Sequence, residues 1–309
     1  MKEGGENVKK FLYVVGLAFI ILCISNNVSA ASEAYYINSN GIEMTEEEYN
    51  NLVQLGFTEF QIEHMRQQVF EDNKDIEGEL VSETKKYIKT SVTIRNGIKI
   101  VTQQEFPSLT AITNDMQLHA GQQPGFSPNT YGDYYDGLTI DTYRILTSKI
   151  TSINDTYMRY KADIEYMNIP SVRSTDILAI GIESAKVVKS TSAYFEQNWI
   201  TTNNNAGYNV YCAPKYEATG VSAVYELPTG SLSSLEATIY FNVTKINSNQ
   251  TLSSVTAVGA HAHAIVPVNM NDVYDHYSSD IFDGIYIDTY YDDYFDSIIT
   301  ATALFIGSW

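Results

Sequence analysis

The sequence predicts a mainly β protein, an antiparallel β-sandwich or jelly roll preceded by a small αα-hairpin and a β-hairpin. Three observations carry this. From residue 138 onward about ten runs alternate apolar and polar residues between turn residues. None of them is the long apolar run of a strand buried on both faces of a parallel sheet. Ahead of them, residues 41–101 hold two successive helix-start signatures and then an Asn-Gly turn between two β-branched runs.

Taken from the N-terminus, residues 1–30 read as a signal peptide. Lys2, Lys9 and Lys10 precede an apolar run from Phe11 to Ile24, and Val28-Ser29-Ala30 supplies a small-residue site, so cleavage after Ala30 is expected. The run is 14 residues long, short of the roughly 20 that span a bilayer as a helix. The expectation is a secreted, extracellular protein with no stable membrane anchor after signal removal. Cleavage takes the formal charge from −18 to −19, with 16 basic against 35 acidic side chains. It also leaves Cys212 as the only cysteine, so no intrachain disulfide can form. Cys212, in Val210-Tyr211-Cys212, reads as a small buried hydrophobe in a strand.

Residues 31–105 read as a small unit. Thr45 with Glu48 forms a capping box, Met44 with Tyr49 the matching staple, and Glu46 and Glu47 complement the helix dipole. Gly56 stands where a left-handed C-terminal cap belongs. Thr58 with Gln61 and Phe57 with Ile62 repeat the pattern, so two short helices joined by Leu55-Gly56-Phe57-Thr58 form an αα-hairpin. The run Ser91 to Val101 turns at Asn96-Gly97. A two-residue loop there sets Ile94 opposite Lys99 and Val92 opposite Val101, leaving a mostly apolar face that needs a cover.

Residues 106–137 carry Pro107, Pro124 and Pro128 with four glycines and read as a linker or long loop. Residues 138–309 form the β-sandwich domain, with strands expected at 138–153, 157–168, 176–187, 192–201, 207–213, 219–227, 235–246, 254–266, 283–291 and 297–307. No convincing helix is written among them.

The Gly-Phe turn between short helices resembles the ubiquitin-binding UBA fold over some 25 residues. A third helix is not clearly written and an exported protein would meet no ubiquitin, so that function is not carried over. Met44 to Tyr49 with Leu55 to Thr58, followed by a β-rich region, resembles uncharacterised exported proteins of Gram-positive bacteria. The resemblance covers about the first third of the chain, brings no active site and implies secretion.

A net charge of −18 excludes a basic nucleic-acid surface. The charge is also unevenly placed. The last 64 residues, from Ile246, contain no Lys or Arg, and eight aspartates between Asp272 and Asp296 are interleaved with tyrosines. A second patch is Tyr131 to Gly137. Aspartate beside exposed tyrosine suits a sugar, with ring stacking and carboxylate-to-hydroxyl bonds. Asp133, Tyr134, Tyr135, Asp136, Asp288, Tyr290 and Tyr291 are therefore the candidate ligand residues. Gathered carboxylates also suit Ca²⁺, which makes Asp288, Asp292 and Asp293 candidate metal ligands and calcium the one cofactor the sequence suggests. The bland alternative is a solubilising acidic rim. His261 and His263 at i, i+2 on a strand point to one face and could offer two imidazoles to a transition metal, or simply hydrogen-bond on the sheet.

Signatures of zincins, P-loop enzymes, dinucleotide binding and the nucleophile elbow are absent. The expected function is a secreted binding or surface-interaction module for a cell-surface glycan or protein. A β-rich toxin or pore former, and a hydrolase using carboxylates, are the alternatives.

Overall fold

Alternation gives each strand two faces, and the fold follows from what covers each of them. The computed structural model describes residues 35–96, 98–120, 139–183, 185–187, 193–210, 214–280, 284–288 and 292–309. The expected signal segment, the 131–137 patch and Cys212 lie outside these residues. In chain order the elements are β1 (Tyr36–Ile37), β2 (Glu43–Met44), α1 (Glu46–Gln54), α2 (Glu59–Glu63), α3 (Gln67–Asn73), β3 (Glu79–Arg95), β4 (Ile98–Phe106), α4 (Leu109–His119), β5 (Thr139–Ser152), β6 (Tyr157–Tyr166), β7 (Thr175–Glu183), β8 (Ala185–Val187), β9 (Tyr194–Thr201), β10 (Ala206–Asn209), β11 (Lys215–Glu217), β12 (Gly220–Glu226), β13 (Leu232–Lys245), β14 (Ser254–His263), α5 (Met270–Tyr274), β15 (Tyr277–Asp280), β16 (Gly284–Ile287) and β17 (Ile299–Ile306).

The expected antiparallel sandwich is the observed one. A larger sheet runs β10-β9-β13-β6-β5-β3-β4, with β8 also paired to β13, and a smaller sheet runs β11-β12-β7-β14-β17. The core lies between them. Leu146, Ile150, Tyr160, Ile164, Ile239 and Phe241 of the larger sheet meet Leu178, Ile180, Ala223, Ala257 and Ala301 of the smaller one. Large residues from both sheets interdigitate there with alanines from both. Burying each Ile, Leu or Phe contributes about 1.5–3 kcal/mol.

Three expectations are corrected by the strands and helices observed. The hairpin of residues 91–101 does not belong to a separate N-terminal unit, because β3 pairs with β4 on one side and β5 on the other. Its apolar face needed a cover and finds one among Ile140, Ile265 and Val266, against Val92 and Ile94. Within the expected linker, Ser108 caps α4 by accepting the Ala111 N–H at 3.2 Å. Ile112 of that helix packs with Phe106 and Tyr143. The prolines and glycines that suggested a loop stand mostly at 121–137, outside the described residues. A third N-terminal helix, α3, and the short α5 were also unread.

Each outer face is covered in turn. Both expected capping boxes form, and Gly56 takes φ +85°. The helices bury Leu52, Leu55, Phe57, Ile62 and Val69 against Tyr240 of the larger sheet. On the smaller sheet, Ile177, Ala179, Val224, Ala260 and Ala262 are covered by Val273, Tyr277, Ile285, Ile287 and Phe295. The described part of the acidic stretch is therefore an amphipathic cap, with those five covering residues inward, Asp272, Asp275, Asp292 and Asp293 in solvent, and Tyr274 and Tyr286 exposed beside them. Among the described residues no helix is long and apolar enough to cross a membrane.

Candidate functional site

The sequence of β6 alternates strictly, with Met158, Tyr160, Ala162 and Ile164 turned into the sandwich and Arg159, Lys161, Asp163 and Glu165 on the opposite face. That second face is charged, yet Arg159, Lys161 and Asp163 are buried beneath the helices. Charges survive burial only when paired or hydrogen-bonded, and each solves this differently.

Asp163 is the best supplied. It lies 3.3 Å from Lys149 Nζ, pairs with Lys161, and accepts from Gln61 Nε2 at 2.8 Å and Thr238 Oγ1 at 2.6 Å. Burial would raise its carboxyl, but Lys161 and Lys149 hold it well below the usual carboxylate range. Gln61 also caps α2 and accepts from Lys161 Nζ at 2.9 Å, while Lys149 Nζ donates to the Gly56 carbonyl at 2.6 Å. The helix caps are thereby bonded to the sheet. Glu236 is left over. It stands directly opposite Glu165 on the neighbouring strand, and its Oε1 is buried without a partner. Burial, then the Asp163 charge, pushes its carboxyl up.

Arg159 sits at the other end of this face, beside an open pocket of about 430 Å³ whose lining includes Asp72, Asn73, Arg159, Tyr194, Tyr240 and Asn242. Tyr194 and Tyr240 are direct cross-strand partners and stack with centroids 5.0 Å apart and planes 28° from parallel. The guanidinium lies 4.7 Å from the Tyr240 ring centroid. Its Nη1 donates to Asn73 Oδ1 at 2.6 Å and its Nε to Asn242 Oδ1 at 3.2 Å. Asn73 Nδ2 donates in turn to the Val69 carbonyl at 2.7 Å and to Tyr240 Oη at 3.2 Å, so the pocket wall is held rigid by α3 and β13. Stacked rings, amides and one cation are what a saccharide-sized polar ligand uses.

A second polar cluster lies inside the sandwich. Asp176 of β7 accepts from His261 Nε2 at 2.9 Å, from His263 Nδ1 at 2.8 Å and from the Tyr166 hydroxyl. Arg144 Nη1 lies 3.0 Å from His261 Nδ1. A guanidinium can only donate, so Nδ1 must accept, and His261 is the neutral Nε2–H tautomer. Burial pushes that imidazole below its ordinary value, against its bond to Asp176. Burial would raise Asp176, but His263 and His261 hold it far below the usual range. Arg144 Nη2 donates to Thr90 Oγ1 at 2.7 Å and pairs with Asp296, whose Oδ1 accepts the His263 N–H at 3.0 Å. Every member of this network is at most 5% exposed. It ties the larger sheet, through Arg144 and Tyr166, to the smaller one, through Asp176, His261 and His263.

The described residues among those singled out from sequence, His261, His263, Asp288, Asp292 and Asp293, do not form one cluster. His261 and His263 do share one face, but that face looks into the core at Asp176. Asp288 lies 3.8 Å from His276 Nδ1. Asp292 offers its carbonyl to Lys99 Nζ at 3.0 Å, and Asp293 lies 3.9 Å from the same nitrogen. Among the described residues no group of three or more His, Cys, Asp or Glu could hold a metal ion. Asp133, Tyr134, Tyr135, Asp136, Tyr290 and Tyr291 lie outside those residues. Arg159 was missed altogether. The signal for it was the strict alternation of β6, whose charged face brings Arg159 beside its cross-strand partner Asn242 of β13.

No family model matches the chain, and no curated protein matches it. Among solved structures it is similar to the collagen-binding domain from a Staphylococcus aureus adhesin, with a TM-score of 0.23 and 11% identity over 35% of this chain and 76% of that one. It is similar to the RrgA Jo.In complex with a TM-score of 0.31 and 7% identity, covering 53% and 78%. It is also similar to AvmM, which catalyzes macrocyclization in alchivemycin A biosynthesis, with a TM-score of 0.23 and 11% identity, covering 49% and 80%. Scores this low assign neither a family nor a ligand.

Proposed function

We propose that this is an exported binding module of a bacterial cell surface that holds a saccharide on the outer face of its larger sheet. The observation that carries the reading is the Tyr194–Tyr240 stack beside the pocket, with Asn73 and Asn242 braced against Arg159. Aromatic faces take the apolar side of a sugar ring, and fixed amides and charges take its hydroxyls. Both rigid walls come from helix and strand, so little ordering is needed on binding.

Two measurements test it. A glycan array probed with the mature protein should return binders, and Tyr194→Ala should weaken them by about tenfold, the worth of one aromatic contact. An array on which wild type and variant give the same blank result would sink the reading. Export is tested separately: expression of the full chain in a Gram-positive host should release a product that begins at Ala31.

A further inference from the structure

Arg159 is buried, yet no carboxylate pairs with it among the described residues. Its two bonded nitrogens, Nη1 and Nε, are taken by neutral amide oxygens, and Nη2 has no acceptor among those residues. The next cations on the same face are each supplied: Lys161 and Lys149 share Asp163, and Arg66 lies 3.4 Å from Glu196. Burial pushes the Arg159 guanidinium down, opposed only by Tyr240. A buried guanidinium without a counter-charge is costly to keep, and this one borders an open pocket.

We infer that the saccharide held in this pocket is acidic, and that its carboxylate docks on the Nη2 edge of Arg159 while its ring lies by Tyr194 and Tyr240. The inference rests on the binding reading above and names its ligand class. A carboxylate fits better than a phosphate ester because Arg159 is the only cation lining the pocket among the described residues and Asp72 lines it too, so the site can neutralise one negative charge and not two. It fits better than a singly charged but tetrahedral sulfate ester because a planar carboxylate matches a planar guanidinium edge.

The test is calorimetric titration of the mature protein with glucuronate, galacturonate and sialyllactose, each beside its uncharged counterpart glucose, galactose or lactose, and with galactose 6-sulfate. At least one carboxylated sugar should bind ten or more times tighter than its uncharged counterpart and tighter than the sulfate. Arg159→Lys, which keeps the charge but loses the planar edge, should retain part of that preference. Arg159→Gln, checked for an unchanged circular dichroism spectrum, should abolish it. Equal binding of charged and uncharged partners would overturn the acidic ligand and leave the binding module standing. Tighter binding of the sulfate would overturn the carboxylate, and no binding of any of these sugars would count against both. If Arg159→Gln does not fold, the charged-against-uncharged comparison on wild type still decides.

Discussion

Arg144 and Asp296 form an ion pair closed to solvent on both sides, their side chains 0% and 1% exposed, although they stand 152 positions apart. Removing one partner of such a pair leaves an uncompensated buried charge. Asp296→Ala should therefore cost about 3–5 kcal/mol in urea unfolding, the more so because Asp296 also accepts the His263 N–H. Arg144→Met with Asp296→Leu should recover much of the loss. A single variant within about 1 kcal/mol of wild type, inside the range of an ordinary surface change, would contradict this account.

The His–Asp–His cluster predicts acid sensitivity. His261 is held below its unfolded value of 6.5, so as pH falls through 6.5 the unfolded chain takes up a proton that the fold refuses. Stability must then fall with falling pH, by up to about 1.4 kcal/mol per unit for one proton. Asp176 adds to this further down, since its stabilisation is present above its unfolded 3.8 and lost as pH drops through its lower folded value. Imidazole nitrogen NMR at pH 7 should show His261 neutral and protonated at Nε2. An imidazolium spectrum there would remove the basis of the prediction.

Glu236 acts in the opposite sense. Its folded carboxyl titrates above the unfolded 4.5 because of burial and the Asp163 charge. The fold therefore holds a proton that the unfolded chain has released, and stability declines as pH rises above 4.5. Glu236→Gln should be the more stable protein at pH 8, by about 1 kcal/mol or more, and should flatten that slope. Thermal melts from pH 5 to 9 decide it, and a variant that melts lower than wild type at pH 8 refutes it.

Gly56 joins α1 to α2 at φ +85°, and a Cβ there would meet Lys149 Cδ at 2.9 Å. Gly56→Ala should cost about 1–2 kcal/mol through left-handed strain and loosen the Lys149 bond to the Gly56 carbonyl. Hydrogen exchange should report faster opening in α1 and α2 with the sandwich core unchanged. Uniform loss of protection across both regions would show instead that the helices and the sheet unfold as one unit.

What was legible in the sequence was local. Thr45, Glu48, Thr58, Gln61 and Gly56 occupy the positions their capping chemistry requires, and the ten expected strand runs meet strands at nearly their expected places, because both signals are short-range. The partnerships were not legible. Nothing near Arg159 in the chain announces Asn73 or Tyr194, and nothing marks Asp176 among so many acids as the one between His261 and His263. The amphipathic role of residues 268–298 was hidden by their charge. The aspartates drew attention, while Val273, Tyr277, Ile285, Ile287 and Phe295, which hold the segment down, are ordinary residues at irregular spacing.

The distance in sequence between Arg144 and Asp296 also sets an order of events. Strands β3 to β6 can pair with near neighbours as soon as they exist, but β5 places a guanidinium in their midst that nothing local neutralises. Closing the sandwich over it must wait for β14 and the stretch that ends at Asp296. Contacts of such separation form slowly. A chain made only as far as β13 therefore still lacks the partner of its buried guanidinium, and the sandwich can close over Arg144 only once residues 254–296 have been added.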